Sequence, residues 1–204
     1  MLPALTFIPF ILFSVVTSVQ FPGCLPDEDA TIVENPSFPV FSPTGQITNL
    51  TLTYFTCPSR QAQAEPEGAP INICGIMDSS EVFAGTFNCD QAPGDLPKLA
   101  DCGDIDTVVF DNLIRPMELS VPAQSGLAVS LPNNTCAIVF LNDDGHDNYQ
   151  TCLDDVVQIL DDLRNAGGCP GPLRDGFIGS VRSPIQPGVQ NWEVRITSSS
   201  FLTD

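Results

Sequence analysis

The apolar positions of this chain keep two different rhythms, and the change between them falls near residue 95. In the first part, Leu50, Leu52 and Tyr54 alternate with Thr51, Thr53 and Phe55, a period of two that predicts a strand. Two short apolar segments, Thr31 to Val33 and Phe38 to Phe41, precede it in a proline-rich stretch from Phe21 to Pro97. Pro58 to Pro70 carries Gln61, Gln63, Glu65 and Glu67 among three prolines, has no period, and reads as an exposed loop. Ile71 to Cys89 is expected to form a second small strand pair, tied together by Cys74 and Cys89.

Beyond residue 95 the periods are clearer. Asp104 can cap a helix whose apolar positions Ile105, Val108, Val109 and Leu113 follow helical spacing up to Pro116. Met117, Leu119 and Val121 then alternate, as do Leu127, Val129 and Leu131 around Ser125-Gly126, which predicts two strands. Cys136 to Leu141 is apolar throughout, as a strand covered on both faces should be, and is expected at the centre of the sheet. A second helix is expected to open near Thr151, with Asp154 as a shortened capping box and Asp155 beside it. Its stripe is Leu153, Val156, Val157, Leu160 and Leu163, with Asp154, Asp155, Asp161 and Asp162 facing water and Gly167-Gly168 as the stop. Phe177 to Val181 and the alternation Trp192, Val194, Ile196 supply two closing strands. The expected fold class is α+β: two helices packed on a mostly antiparallel sheet, in the order helix, strand, strand, helix, strand, strand. This core spans residues 96–204, behind a cystine-stapled, proline-rich extension at 19–95.

Residues 1–18 have a different character. From Met1 to Thr17 there is no charged side chain, and Leu2, Leu5, Phe7, Ile8, Phe10 to Phe13, Val15 and Val16 make a near-continuous apolar run. The run is shorter than a membrane span and ends in small residues, so it reads as a signal peptide cleaved after Ser18. All eight cysteines lie behind it: Cys24, Cys57, Cys74, Cys89, Cys102, Cys136, Cys152 and Cys169. An even count in a secreted chain predicts four disulfides and no free thiol, with all 105 pairings open. Zinc is excluded by spacing, since there is no Cys-x-x-Cys and His146 is the only histidine. Asn49-Leu50-Thr51 and Asn133-Asn134-Thr135 are N-glycosylation acceptors, while Pro36 disqualifies Asn35-Pro36-Ser37.

Acidic residues outnumber basic ones 25 to 7, giving a net charge of -18, and the basic ones are scattered. Nucleic acid and anionic membranes are therefore excluded as partners, because a polyanion needs a positive stripe. Catalysis finds little support: His146 has no Gly-x-Ser-x-Gly elbow to meet it. The loop from Asn142 to Asn148 crowds Asp143, Asp144 and Asp147 around a glycine, but lacks the calcium-loop spacing. Sugar binding asks for an amphipathic ring and rigid polar groups. The large rings on offer are Trp192, Tyr149 and Tyr54, with Asp143, Asp144, Asp147 and Asn148 as polar companions of Tyr149. The proline-braced Cys169-Pro170-Gly171-Pro172-Leu173-Arg174-Asp175 has the shape of an inhibitor loop.

The series Asp101-Cys102 with its helix, Asn134-Thr135-Cys136-Ala137-Ile138-Val139-Phe140, Cys152-Leu153 opening a helix, and Cys169 before a glycine-containing strand resembles small cysteine-rich secreted fungal proteins. The similarity is to the glycan-binding Y-three-like domain of mushroom-forming fungi and, more distantly, to the necrosis-inducing secreted effector family. It covers residues 74–197 and implies carbohydrate binding, with no ligand motif that maps residue by residue. The expectation is a secreted, extracellular, non-enzymatic glycoprotein that binds glycans without cofactor or metal. Its expected partner is a carbohydrate or glycoprotein surface, and a homodimer is the self-assembly considered. An effector or toxin-like role is the second reading, and a proteinase-inhibitor-like or structural protein the third. The expected ligand-binding residues are Tyr149, Trp192, Asp143, Asp144, Asp147 and Asn148.

Overall fold

The computed structural model of the chain describes residues 23–24, 30–59, 69–75, 86–91, 97–112, 117–158, 177–182 and 191–202, with 86–91 and 177–182 described by their main chain. The leader, most of the 58–70 loop, Leu113, Pro116, the expected end of the second helix and the Cys169 to Asp175 loop lie outside the described residues. In chain order the described strands are Thr31–Glu34 (β1), Ser37–Phe41 (β2), Ile47–Thr56 (β3), Ile71–Asn72 (β4), Thr86–Gln91 (β5), Glu118–Val121 (β6), Ser125–Ser130 (β7), Cys136–Asn142 (β8), Tyr149–Cys152 (β9), Phe177–Arg182 (β10) and Trp192–Ser198 (β11). Helix α1 is Leu99–Asn112, and α2 is described over residues 153–158. Two helices thus pack on a mostly antiparallel sheet in an α+β fold, as the periods predicted, but four strands and not two separate them, because Cys136–Asn142 and Tyr149–Cys152 each add a strand before the second helix.

The large sheet runs β1-β3-β7-β8-β11-β10-β5, and β2 also pairs with β3. The apolar strand β8 holds the middle of that order, and all seven of its residues are buried. Its side chains alternate between two cores. Ile138 and Phe140 face a main core shared with Leu127, Val129, Val194 and Ile196, under Ile105, Val108 and Val109 of α1 and Val156 and Val157 of α2. Ala137, Val139 and Leu141 face a smaller core closed by Cys24, Cys57, Phe55 and Phe201.

The early strands belong to the same sheet, so the composition change near residue 95 marks no break in the ladder. β3 pairs with β7 from Thr51↔Ser130 to Thr56↔Ser125. On its other edge β3 carries both β1 and β2, which meet it at Tyr54 to Thr56 and Ile47 to Thr51. Asn35-Pro36 separates them because proline has no N–H to give a ladder. The break is held by the Thr53 hydroxyl, which donates to Asn35 Oδ1 at 2.8 Å, and by the Leu52 N–H, which donates to the Pro36 carbonyl at 2.9 Å.

A second, three-stranded sheet runs β4-β9-β6, with β4 parallel to β9. It corrects two expectations. Cys74 does not close a strand pair with Cys89: Ile71–Asn72 joins β9 in the small sheet, while Thr86–Gln91 joins β10 in the large one. Neighbours in sequence diverge here because each strand finds its ladder partner far along the chain. Thr151 does not open the second helix either. It lies in β9, held opposite Leu119, and the helix begins after Cys152, where the Leu153 N–H donates to the Met117 carbonyl at 2.9 Å. Asp155, expected to face water, is buried, and its Oδ2 accepts the Gly75 N–H at 2.6 Å.

Helix α1 also starts earlier than an Asp104 cap would place it. The Lys98 carbonyl accepts the Cys102 N–H, so Asp101 occupies the first turn and Asp104 lies inside the helix. Asp101 Oδ2 accepts the Thr135 N–H at 2.8 Å and the Thr135 hydroxyl at 2.5 Å, tying the helix start to the turn before β8.

Disulfides Cys24–Cys57, Cys74–Cys152 and Cys102–Cys136 link residues 33, 78 and 34 apart. Closing loops of such lengths restricts the unfolded chain by about 4 kcal/mol per bridge on the entropic model. With six cysteines assigned, the expected four-bridge framework has one pairing left. Peptide mapping under non-reducing conditions is expected to find Cys89 joined to Cys169; two free thiols there would contradict it. A second expectation concerns Gly126, which stands opposite Phe55 in the β3–β7 ladder. A Cβ on it would lie 2.3 Å from the Phe55 ring, so Gly126→Ala should destabilise the fold by about 1–3 kcal/mol in denaturant titration.

Candidate functional site

Of the six expected ligand-binding residues the two rings are closed off from solvent, while the four polar ones lie in the part-exposed 142–148 turn. Tyr149 and Trp192 are fully buried. Trp192 stacks on Phe140 with ring centroids 6.3 Å apart, its alternation with Val194 and Ile196 turning it into the main core. Tyr149 is buried because it lies on β9, the middle strand of the small sheet, with its side chain in the main core, and not at a helix start. Neither ring can offer a face to a sugar, which corrects their assignment as binding residues.

Of the acidic residues around them, Asp144 enters the turn through its carboxylate, and Asp143 and Asp147 through their main chain. Asn142, buried at the end of β8, donates from Nδ2 to the carbonyls of Val121 at 3.0 Å and Asp147 at 2.8 Å, and its Oδ1 accepts the Asp144 N–H at 2.9 Å. Asp144 Oδ1 accepts the N–H groups of His146 at 2.8 Å and Asp147 at 3.0 Å. Asp144 Oδ2 accepts the Tyr149 hydroxyl and the Asn191 amide, both at 3.4 Å. The Tyr149 hydroxyl in turn accepts the Asn191 N–H at 3.1 Å. Asn148 Oδ1 accepts the Ala123 N–H at 2.9 Å, and the main chain of Asp143 is held by Asn191 and Gln124. The loop thus fastens the ends of β6, β7, β8, β9 and β11 to one another. A carboxylate that already accepts four hydrogen bonds is a turn cap, so the calcium alternative finds no free ligand set in Asp144.

The one described grouping of metal-type side chains joins Cys74, Cys152 and Asp155. Its two sulfurs are bonded to each other, so they offer no thiolate.

An open site does exist among the described residues, around the third ring considered from sequence. A cleft of about 320 Å³ lies where the large sheet's edge meets the small sheet, lined by Val33, Glu34, Tyr54, Phe55, Thr56, Ser120, Pro122 and Ser125. Glu34 and Tyr54 are cross-strand partners in the β1–β3 ladder, so carboxylate and phenol stand side by side. Tyr54 is half-buried against the main core, which fixes its ring. Burial, and then the negative charge of Glu34, push the Tyr54 phenol above its ordinary 10.0, so it remains a hydrogen-bond donor at neutral pH. Glu34 was missed in sequence because its partner comes from β3, twenty residues on; the signal available was an acid beside the Asn35-Pro36 break.

No protein-family model matches the chain, and no curated protein or solved structure matches it either.

The Asp144 cap has a pH signature. Burial would raise this carboxyl, but the N–H groups of Asp147 and His146, with Tyr149 and Asn191, outweigh it and hold it below the ordinary 3.8. A group with a depressed folded value stabilises above its unfolded value and stops doing so as pH falls through the folded one. The melting-temperature gap between the native chain and Asp144→Asn is therefore expected to be constant above pH 3.8 and to narrow below it. A gap that widened on acidification would contradict the cap.

Proposed function

We propose that the protein is a secreted, non-enzymatic glycan-binding protein whose site is the Glu34–Tyr54 cleft. The observation that carries this reading is the composition of that lining. It combines an aromatic ring, a carboxylate and the hydroxyl-bearing residues Thr56, Ser120 and Ser125 in a volume of about 320 Å³. A sugar presents an apolar C–H face to a ring and paired hydroxyls to a carboxylate, so these groups supply both halves of its recognition. The volume lies at the small end of ligand pockets and suits a saccharide end group more than a long polymer. Among the described lining residues Glu34 is the single carboxylate, whereas most glycoside hydrolysis sets two across the scissile bond; this favours binding over cleavage. The three disulfides fit an oxidising, extracellular setting. The negative charge of Glu34 within a chain of net charge -18 favours neutral or amino sugars over acidic ones.

A glycan array probed with the purified chain is expected to show micromolar binding to neutral or amino sugars. Glu34→Gln and Tyr54→Phe, which keep shape and packing, should each weaken that binding about 10-fold or more with little change in melting temperature. An array without signal, or binding indifferent to both substitutions, would sink the proposal.

A further inference from the structure

Near the β2–β3 hairpin the large sheet leaves one face bare. Ser37, Pro39 and Phe41 of β2 stand directly opposite Thr51, Asn49 and Ile47 of β3, so these six residues share a face. The Ser37 and Thr51 hydroxyls lie 2.8 Å apart across it. Val40 and Leu50 point the other way, into the main core. Farther along β3 the outer face is covered: Phe55 packs in the smaller core with Cys24 and Cys57, and Thr53 is buried with its hydroxyl on Asn35. At the hairpin that cover ends: Phe41 is 60% exposed and Ile47, its cross-strand partner, 74%. A large apolar pair beside an edge strand invites sheet-to-sheet association unless something covers it.

Asn49 is exposed and sits within this patch, with Ile47 two residues away on the same strand, Pro39 directly opposite and Phe41 on the diagonal. It heads the acceptor Asn49-Leu50-Thr51. We propose that an N-glycan on Asn49 lays its first N-acetylglucosamine over Pro39, Phe41 and Ile47, and so closes the outer face of the hairpin. Attachment joins the Asn49 amide nitrogen to the anomeric carbon of a glycan delivered on a lipid pyrophosphate. The sugar–phosphate bond breaks, the pyrophosphate leaves with its electron pair, and the amide gives up one proton. Diagonal neighbours in an antiparallel pair lie about 7–8 Å apart, within reach of one sugar ring on Asn49. The sugar's C–H face meets the Phe41 ring while its hydroxyls stay in water.

The platform is rigid: Asn112 at the end of α1 accepts the Phe41 N–H at 2.8 Å and donates to the Phe41 carbonyl at 3.0 Å. Little order has to be imposed when the sugar settles on it. Asn133 provides an internal comparison. It is exposed at φ 59 in a turn whose next residues, Asn134 and Thr135, are bonded to Asp101.

The proposal shares the secreted reading's requirement for export but is independent of the cleft. The full chain would be produced in a yeast host, Asn49 occupancy read by glycopeptide mass spectrometry, and melting temperatures compared. The intact glycoprotein and a form trimmed by endoglycosidase to one N-acetylglucosamine should melt together, about 2–4 °C above Asn49→Gln. Asn133→Asp, which removes the second acceptor and still tolerates the φ of 59, should not move the transition. In a Phe41→Ser, Ile47→Ser variant the Asn49 glycan should give no shift. If Asn49→Gln is not recovered, removing the glycan from folded protein with an amidase supplies the bare state. An unmodified Asn49, whether or not the chain is exported, overturns the proposal. So does loss of the gain on trimming, or a gain that persists in the doubly substituted variant.

Discussion

Strand β8 is buried on both faces, and the rest of the molecule is arranged to permit it. All seven of its residues are inaccessible, so its main-chain groups need ladder partners on both edges and its side chains need apolar cover above and below. β7 and β11 meet the first need. The second divides the molecule into a main core under α1, α2 and the small sheet, and a smaller core under the Cys24–Cys57 bridge and Phe201. At the strand's first residue the Cys102–Cys136 bridge binds it to α1, so the cover and the covered strand are covalently joined.

The two ends of β8 are managed by polar groups. Before it, Asp101 holds Thr135 to the first turn of α1. After it, the buried Asn142 amide satisfies the Val121 and Asp147 carbonyls and the Asp144 N–H together. Leaving such groups unpaired would cost about 1–3 kcal/mol each. Within the acidic loop, Asn142, Asp144 and Asn148 thus provide the acceptors that turn a strand end around in a small space.

The features with functional character arise where that cover runs out. At one end of β3, the edge of the large sheet stands apart from the small sheet and leaves the cleft that holds Glu34 and Tyr54. At its other end, the outer face emerges from the smaller core and leaves Phe41 and Ile47 beside Asn49. One ten-residue strand thus presents a half-buried ring at one extremity and the Asn49-Leu50-Thr51 motif at the other. Because it is paired along both edges, both are held on rigid main chain.

Local pattern was enough for much of the fold. The alternation of Leu50, Leu52 and Tyr54, the unbroken run from Cys136 to Leu141, and the spacing of Ile105, Val108 and Val109 named the strands, the central strand and the helix, because side-chain period follows directly from main-chain geometry. An even set of cysteines likewise announced a stapled scaffold. Partnership was another matter. That Cys74 joins Cys152, that β6 and β7 belong to different sheets, and that Tyr149 turns inward all depend on which distant strand each segment meets, which no window of neighbouring residues encodes. The candidate site followed the same division: Tyr54 was visible as an amphipathic ring on a strand. Only the β1–β3 register set Glu34 beside it, and only the packing of the small sheet against the large one made the space between them a cleft.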